Sequence, residues 1–250
     1  MGVREIIDDA ARHTVSETGI RLLAILSVVR IAEAIATQSM LAQLPPSLLE
    51  GPTSLYRGTS TPLAVAIPWQ AAAVVAIVSF VATFVVAVVA IRRFGADGGT
   101  GERSTGRALL QWTVVTVVLV ATIALGSVLL VLPGLVAAVV FSFAPVVAVV
   151  EDASVVEAFR RSWETVTEHW KTVLPLYLGL AVIAVAWLIV GGLGTVALST
   201  ILPVLGDVFA PVVPATFIVF VLAIQTRAFV RLGTEGTDTP VEGVDNELLP

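Results

Sequence analysis

Arg30 and Glu33 lie near the middle of an apolar stretch and are the residues of this chain most able to do chemistry. A charge at the depth of the hydrocarbon costs roughly 3 kcal/mol even on lenient insertion scales, so it must face protein or water and find a partner. The i,i+3 spacing lets the two side chains pair on one helix. The pair is either a substrate or proton site, with Gln38, Gln111 or Gln225 nearby, or a structural ion pair that fixes helix packing.

The rest of the sequence favours the structural interpretation of this pair. A proton relay or ion path usually needs several ionisable groups, and the interiors of the five later predicted spans contain none. The sequence also lacks the H-E-x-x-H, P-loop and G-x-S-x-G motifs. With no cysteine and two histidines, it offers no thiolate or histidine-built metal site. We therefore expect no catalytic residue, no metal and no cofactor.

The segment from Glu151 to Lys171 predicts an amphipathic surface helix over residues 154–170. Ser154 followed by Glu157 is a capping box, which marks the start of a helix. Apolar residues recur at a 3-4-3-4 spacing on one side and charged residues occupy the other. The two sets are Val156, Phe159, Trp163, Val166 and Trp170 against Glu157, Arg160, Arg161, Glu164 and Glu168.

Four residues of this helix are candidates for contact with lipid. Trp163 and Trp170 are expected to be interfacial anchors, because tryptophan favours the boundary between headgroups and hydrocarbon. The alternative for the two tryptophans is a groove that docks a partner helix. Arg160 and Arg161 are candidates for contact with an anionic lipid headgroup, although the neighbouring glutamates weaken that attraction.

The composition predicts a membrane protein. Hydrophobic residues make up 57% and charged residues 13% of the 250 residues, which leaves too little polar surface to cover a soluble globule of this size. A helix needs about 20 apolar residues to cross the hydrocarbon. The predicted fold is therefore all-α, with six transmembrane helices over about 20–43, 69–91, 108–132, 135–150, 172–194 and 208–230.

Proline and glycine predict where these spans bend or end. Pro133 and Gly134 predict a tight turn between two spans, because proline cannot continue a helix that has already formed. Pro145 predicts a kink in the short fourth span. The GGLG sequence of residues 191–194 predicts the end of the fifth span, and the alternative for its glycines is a hinge or a close approach of two helices.

The flanking segments complete the organisation around a membrane domain of residues 20–231. Residues 232–250 contain five acidic residues and no basic one, which predicts a disordered acidic tail. Residues 1–19 predict a second amphipathic helix on the cytoplasmic face. Its apolar and charged sides are Val3, Ile6, Ile7, Ala10 and Val15 against Arg4, Asp8, Asp9 and Arg12.

The basic residues predict the orientation of the spans. Cytoplasmic segments collect Lys and Arg, and an even number of spans places both termini on one side. With a cytoplasmic N-terminus, only Arg57 lies outside and Arg30 lies within the membrane. The other twelve of the 14 basic residues lie inside: Arg4, Arg12, Arg21, Arg92, Arg93, Arg103, Arg107, Arg160, Arg161, Lys171, Arg227 and Arg231. We expect a multi-pass protein of the cell membrane with cytoplasmic termini.

The phrase SVVEAFRRSWETVTEHWKTVLPLYLGL is an amphipathic A-F-R-R-S-W helix that runs into an apolar span. It resembles the signature of six-helix membrane domains that are sometimes fused to glycerophosphodiester phosphodiesterases, and of uncharacterised stand-alone relatives in halophilic archaea. The resemblance covers about residues 145–190. In the fused members the chemistry belongs to a separate soluble domain, so the resemblance implies the membrane fold without that activity. A salt-adapted or GC-rich proteome fits the composition, because 13 of the 14 basic residues are arginine.

Two functional hypotheses follow. In the first, the protein is not an enzyme and organises the bilayer or binds a partner: its surface helices contact membrane lipids, and its spans pack with another membrane protein or a second copy. In the second, it is a carrier or channel for a small or lipid-like molecule, with Arg30 and Glu33 lining the path. No basic patch points to nucleic acid.

Overall fold

The structure, a computed structural model, describes residues 3–45, 61–95, 105–129 and 131–235. Within these ranges every regular element is an α-helix, which confirms the predicted all-helical fold. The helices, numbered in chain order, are α1 (Val3–Val15), α2 (Glu17–Leu41), α3 (Trp69–Phe94), α4 (Thr105–Leu129), α5 (Val131–Val140), α6 (Ala144–Val150), α7 (Val155–Glu168), α8 (Trp170–Ile201) and α9 (Pro203–Glu235).

Five helical segments of the described chain are long and apolar enough to cross a membrane. They carry large apolar side chains on their outer surfaces, such as Val182 at 70% and Leu188 at 77% exposure. Hydrocarbon in place of water makes such exposure favourable, so the chain has the structure of a multi-pass membrane protein. The five segments are Trp69–Phe94, Gly106–Ser127, Leu132–Val150, Trp170–Ile201 and Pro203–Gly233.

The first predicted span, residues 20–43, corresponds to α2 and is not one of these five segments. Helix α2 is 25 residues long and carries Arg30 and Glu33 on its middle turns. The side chain of Ser16 caps its start by accepting a hydrogen bond from the backbone N–H of Gly19. Residue 16 therefore separates α2 from α1.

The predicted tight turn at Pro133 and Gly134 is wrong. Helix α5 begins at Val131, and Pro133 lies in its first turn, where the missing N–H of proline costs no hydrogen bond. Gly134 is needed there because α5 lies directly against α4: a Cβ at Gly134 would lie 2.2 Å from Ser127 Oγ. This glycine therefore permits a close helix approach.

The predicted end of the fifth span at residues 191–194 is also wrong. Helix α8 continues through this sequence to Ile201. Gly191 is buried against α9, where a Cβ would lie 2.3 Å from Val213 Cγ1. The weak helix propensity of glycine is overridden here because a helix in hydrocarbon must keep its backbone hydrogen bonds.

The fourth span is interrupted just before Pro145. Helix α5 ends at Val140 and α6 begins at Ala144, since the ring of Pro145 would clash with the backbone of a continuous helix one turn earlier. The carbonyl of Val140, near the break, accepts a hydrogen bond of 2.8 Å from Ser162 Oγ on α7. The interruption thus leaves a backbone carbonyl to which α7 is attached.

The core lies where the end of α3 meets α6, α8 and α9. Its largest fully buried side chains include Ile91, Phe94, Phe143, Leu176 and Ile224.

At the opposite end of α3, side chains of α2 bind the backbone of the segment that precedes α3. Leu63 N donates to Gln38 Oε1 at 2.8 Å and Val65 N donates to Ser39 Oγ at 2.9 Å.

The last helix is longer than the sequence predicts. Helix α9 runs to Glu235, so residues 232–235, assigned to the disordered tail, are helical. Residues 236–250 of that predicted tail lie outside the described residues.

Candidate functional sites

Arg30 and Glu33 form an ion pair within α2. Arg30 Nη1 donates to Glu33 Oε2 at 2.5 Å, and the two side chains are 29% and 25% exposed. The Nε of Arg30 is buried and has no hydrogen-bond partner among the described residues. The two charges compensate each other on one helix, and the buried Nε donor of the guanidinium stays unused.

A cavity of about 280 Å³ reaches this pair. It is lined by Arg30, Glu33, Ala34, Thr37, Gln38 and Pro211, so it lies between α2 and α9. Gln38 Nε2 donates to Asp207 Oδ1 at 3.3 Å. Asp207 lies one residue before the predicted start of the sixth span, at residue 208, but it belongs to α9. An ionisable group that the sequence did not point to therefore faces the polar side of α2.

The three glutamines named as possible neighbours of the pair do not gather there. Only Gln38 lines the cavity at Arg30. Gln225 Nε2 donates to the Tyr177 hydroxyl at 3.4 Å, in a different cavity. Gln111 has a buried Oε1 with no partner among the described residues.

Helix α7 has three sides rather than the predicted two. Its buried side is Ala158, Ser162 and Val166, one residue per turn, which pack on the protein. The predicted apolar stripe is split, because Val156 and Trp163 are 79% and 52% exposed. Ser162, a polar residue, occupies the protein-facing side because its hydroxyl bonds to the carbonyl of Val140.

An exposed apolar line runs along α7, and an exposed tryptophan follows it at the start of α8. Val156 and Trp163 are seven residues apart on α7, so they lie on nearly the same side of that helix. Trp170, at 55% exposure, is the first residue of α8. The ring of Phe141, at the break between α5 and α6, lies 6.1 Å from that of Trp163. The line is therefore fixed to the membrane domain.

The arginines on the charged side of α7 are paired with acidic residues of α7 or of the segment just before it. Arg160 lies 3.5 Å from Glu157 and 3.4 Å from Glu164. Arg161 pairs with Glu151 at 3.5 Å rather than with Glu157, which the helical spacing alone would favour. Both arginines remain more than half exposed, so water surrounds these pairs.

A third ionic cluster, which the sequence did not predict, joins α1 to α9. Asp9 Oδ2 accepts from Arg227 Nε at 2.7 Å and lies 2.9 Å from Arg231 Nη2. Arg227 Nη1 also donates to the backbone carbonyl of Phe94, at the end of α3. Arg227 and Asp9 have side chains only 10% and 15% exposed. Asp9 was assigned to the solvated side of α1, which is wrong.

The charges around Asp9 determine its pKa. Burial has the largest single effect on the pKa and raises it, because it favours the neutral acid. The hydrogen bond from Arg227 and the charges of Arg227, Arg231 and His13 lower the pKa, and together they outweigh burial. The pKa of Asp9 is therefore lowered below its ordinary value. The carboxylate stays ionised and holds three helices at one end of the molecule.

The sequence did contain a weak signal for this cluster. Arg227 and Arg231 share one side of a helix at i,i+4 spacing, within an otherwise apolar segment, and buried arginines usually need a carboxylate.

The two histidines form local contacts. His13 and His169 each contact the backbone carbonyl one turn earlier, at 2.9 and 3.2 Å. In the described ranges no group of three or more His, Cys, Asp or Glu side chains could hold a metal ion.

A protein-family model matches most of the chain. The family model described as a domain of unknown function, DUF7847, matches residues 47–232. The matched segment contains α3 to α8 and nearly all of α9, and it leaves out α1 and α2. No curated protein and no solved structure matches the chain.

Proposed function

The chain belongs to the DUF7847 family, and we propose that it is a non-enzymatic, six-span membrane protein that organises the cytoplasmic leaflet through the interfacial helix α7. The observation that carries this proposal is the three-sided geometry of α7: one side packs on the spans, one exposes Val156 and Trp163, and one carries self-paired charges. This is the arrangement that an amphipathic helix needs to lie between protein, lipid and water.

The contacts at the two ends of α3 support a sixth span. Asp9, on the helix α1 that precedes α2, bonds to Arg227, which also bonds to Phe94 at the end of α3. The end of α2, at Gln38, bonds to Leu63 just before α3. If α3 crosses the membrane, α2 must cross it in the other direction. Its 25 residues reach about 37 Å, which exceeds a hydrocarbon thickness of about 30 Å.

Further contacts place α7 at the same end as Arg227. A cavity of about 320 Å³ is shared by Glu151 after α6, Arg161 on α7, His169 before α8 and Phe229 on α9. Arginines concentrate at this end, and the positive-inside rule assigns such an end to the cytoplasm. We therefore place the arginine-rich end, and with it α1 and α7, on the cytoplasmic face of the cell membrane.

Membrane lipids are the partner that α7 fits best. Trp163 lies on its outward apolar side and Trp170 follows it at the start of α8, and both would sit at the boundary between headgroups and chains. The arginines, which are paired with glutamates, would add little attraction for anionic headgroups. The attachment through Ser162 would then hold α7 at a fixed depth in the leaflet, and the lipids around the domain would pack against it at that depth.

The test is the depth of Trp163 in the bilayer. A variant with Trp163 as its only tryptophan is reconstituted in phosphatidylcholine vesicles that carry bromine either near the headgroup or near the chain end. The proposal expects stronger quenching by the shallow bromines, and little change when phosphatidylglycerol is added. The control is Val182→Trp in a tryptophan-free background, since residue 182 is exposed near the middle of α8 and should respond to the deep bromines.

Two results would contradict the proposal. Equal quenching of Trp163 and of the residue 182 control would place α7 within the hydrocarbon. Absence of quenching at Trp163 by either lipid would mean that a second copy or another membrane protein covers α7, and the lipid-organising role would be replaced by partner binding.

The resemblance to the membrane domains of phosphodiesterases stays a prediction and adds no activity here. It rests on the α7 sequence around A-F-R-R-S-W. The side chains of that phrase have structural roles: Ala158 and Ser162 pack on the spans, and Arg160 and Arg161 pair with glutamates.

A second candidate function, transport past Arg30 and Glu33, is favoured by the 280 Å³ cavity at that pair. The variant with both residues replaced by leucine separates the two functions. A lipid-organising protein should fold and keep the shallow depth of Trp163, whereas a carrier should lose flux of its substrate. Transport by the double variant at the wild-type rate would exclude this pair from the path.

A further inference from the structure

A cavity of about 510 Å³ lies among the spans, between α4, α5, α8 and α9. Its volume falls within the range of about 300–1,000 Å³ that small-molecule sites occupy. Along α4, Trp112, Thr116, Leu119 and Ile123 line it on one side. Trp112 and Ile123 are eleven residues apart, or about 16 Å along the helix. The cavity is therefore elongated in the direction of the spans.

One end of this cavity is polar. Trp112 is 8% exposed, and its Nε1–H is buried without a hydrogen-bond acceptor among the described residues. The Thr116 hydroxyl, one turn further, is also buried without a partner in the described chain. Tyr177 and Gln225, which are hydrogen-bonded to each other, line the same cavity from α8 and α9.

The depth of this polar end can be read from the helices. Trp112 and Tyr177 each lie seven residues, or about 10 Å, from the start of α4 and α8. Gln225 lies ten residues before the end of α9, so all three belong to the same half of the domain. The other half of the cavity is lined by apolar side chains such as Ile123, Leu135 and Phe217.

The lining also restricts the charge of a ligand. Among the described residues that line the cavity there is no Asp, Glu, Lys, Arg or His. A phosphate or carboxylate would enter without a counter-charge, which is costly in hydrocarbon. A neutral oxygen, by contrast, needs no counter-charge. It can accept the unused hydrogen bond of Trp112 after a small shift of the side chains that cover the Nε1–H.

We propose that this cavity binds a neutral, single-chain amphiphile whose headgroup oxygen accepts a hydrogen bond from Trp112 Nε1 and whose hydrocarbon chain lies toward Ile123 and Phe217. Monoacylglycerols and long-chain alcohols belong to this class. The site is separate from α7 and from Arg30, so it does not depend on the lipid-organising role or on the second candidate function.

The test uses radiolabelled monooleoylglycerol with the full chain in detergent micelles. Binding should saturate near one molecule per chain, and oleate, with the same chain and a charged head, should compete poorly. Trp112→Phe keeps the ring contact with Phe84, whose centroid is 5.1 Å away, and removes only the N–H. We expect about fivefold weaker binding, as the loss of one hydrogen bond implies.

The matched control is Trp69→Phe, because Trp69 is 58% exposed and lines a different cavity. This variant should bind as the wild type does. Ala138→Phe, which fills the cavity from α5, should abolish saturable binding while thermal unfolding shows that the chain is folded. Binding that does not saturate, equal affinity for oleate, or unchanged affinity in both Trp112→Phe and Ala138→Phe would overturn the proposal.

Discussion

The clusters at Asp9 and at Arg30 use the same ionic chemistry in two regions of the molecule. Asp9 is paired with Arg227, 218 residues away, and the pair connects α1, α3 and α9. Arg30 is paired with Glu33, three residues away, on a single helix. The first pair therefore holds helices together, whereas the second mainly compensates charge within one helix.

The two ion pairs also differ in how deeply they are buried. The side chains of Asp9 and Arg227 are about half as exposed as those of Glu33 and Arg30. A charge is expensive to bury, so a deeply buried pair is tolerated only where extra hydrogen bonds complete it. Arg227 has such a bond to the carbonyl of Phe94, whereas the Nε of Arg30 has none among the described residues. Loss of a partner should therefore cost more at Asp9 than at Glu33.

The largest effect is expected from Asp9→Asn. It removes the carboxylate charge of Asp9 from beside the buried guanidinium of Arg227, and the free energy of unfolding should fall by about 3 kcal/mol. The measurement is unfolding in mixed micelles of increasing denaturing-detergent content. Asp8→Asn, at the exposed neighbouring position, is the control and should change little. Equal losses of stability in the two variants would show that Asp9 contributes no more than an exposed charge, which would contradict its role in connecting the helices.

A smaller loss is expected from Glu33→Gln, about 2 kcal/mol, because Arg30 then stays charged and unpaired at a partly exposed site. The variant with leucine at both positions should lose less than Glu33→Gln, since it removes both charges. The same unfolding measurement compares them. If the double variant were the less stable of the two, the pair would contribute more than charge compensation.

Low pH should weaken the Asp9 cluster of the wild type. Because its pKa is lowered in the folded protein, the unfolded chain takes up a proton first as the pH falls. The stabilisation is complete above the ordinary aspartate pKa of about 3.9 and is lost as the pH falls through the lowered value. The melting temperature of the wild type should therefore fall more steeply below about pH 4 than that of Asp9→Asn. Parallel curves would show that Asp9 is not the responsible group.

The smallest effect is expected at the surface of α7. Arg160→Gln removes contacts with two glutamates, but its side chain is 66% exposed and water screens the interaction. The free energy of unfolding should change by a few tenths of a kcal/mol at most. A change as large as that of Asp9→Asn would mean that α7 is held by its charges rather than by Ser162 and its buried side.

The sequence predicts those features of the fold that depend on neighbours along the chain. Apolar runs predict the long helices, the i,i+3 spacing predicts a pair at Arg30 and Glu33, and Ser154 predicts the start of α7, where it accepts a hydrogen bond from Glu157 N. Each depends on helix geometry alone. The same reasoning misplaced Asp9, because the choice between water and Arg227 is made by packing of distant helices.

Glycine and proline were misinterpreted for a related reason. In water they commonly end helices, but Gly134 and Gly191 mark positions where two helices touch. The cavity at Trp112 could not be predicted either, because its walls come from helices far apart in the sequence. Long-range contacts, rather than local propensity, determine all of these sites.

The most direct test of the account is accessibility labelling across the membrane, and the chain suits it because it contains no cysteine. Single variants Thr18→Cys, Leu44→Cys, Thr100→Cys and Thr167→Cys are treated in intact cells with a membrane-impermeant maleimide. With six spans and cytoplasmic termini, only Leu44→Cys should react from outside, and the other three should react after the cells are opened. Reaction of Thr18→Cys and Leu44→Cys from the same side, or of Thr100→Cys and Thr167→Cys from opposite sides, would contradict the six-span arrangement.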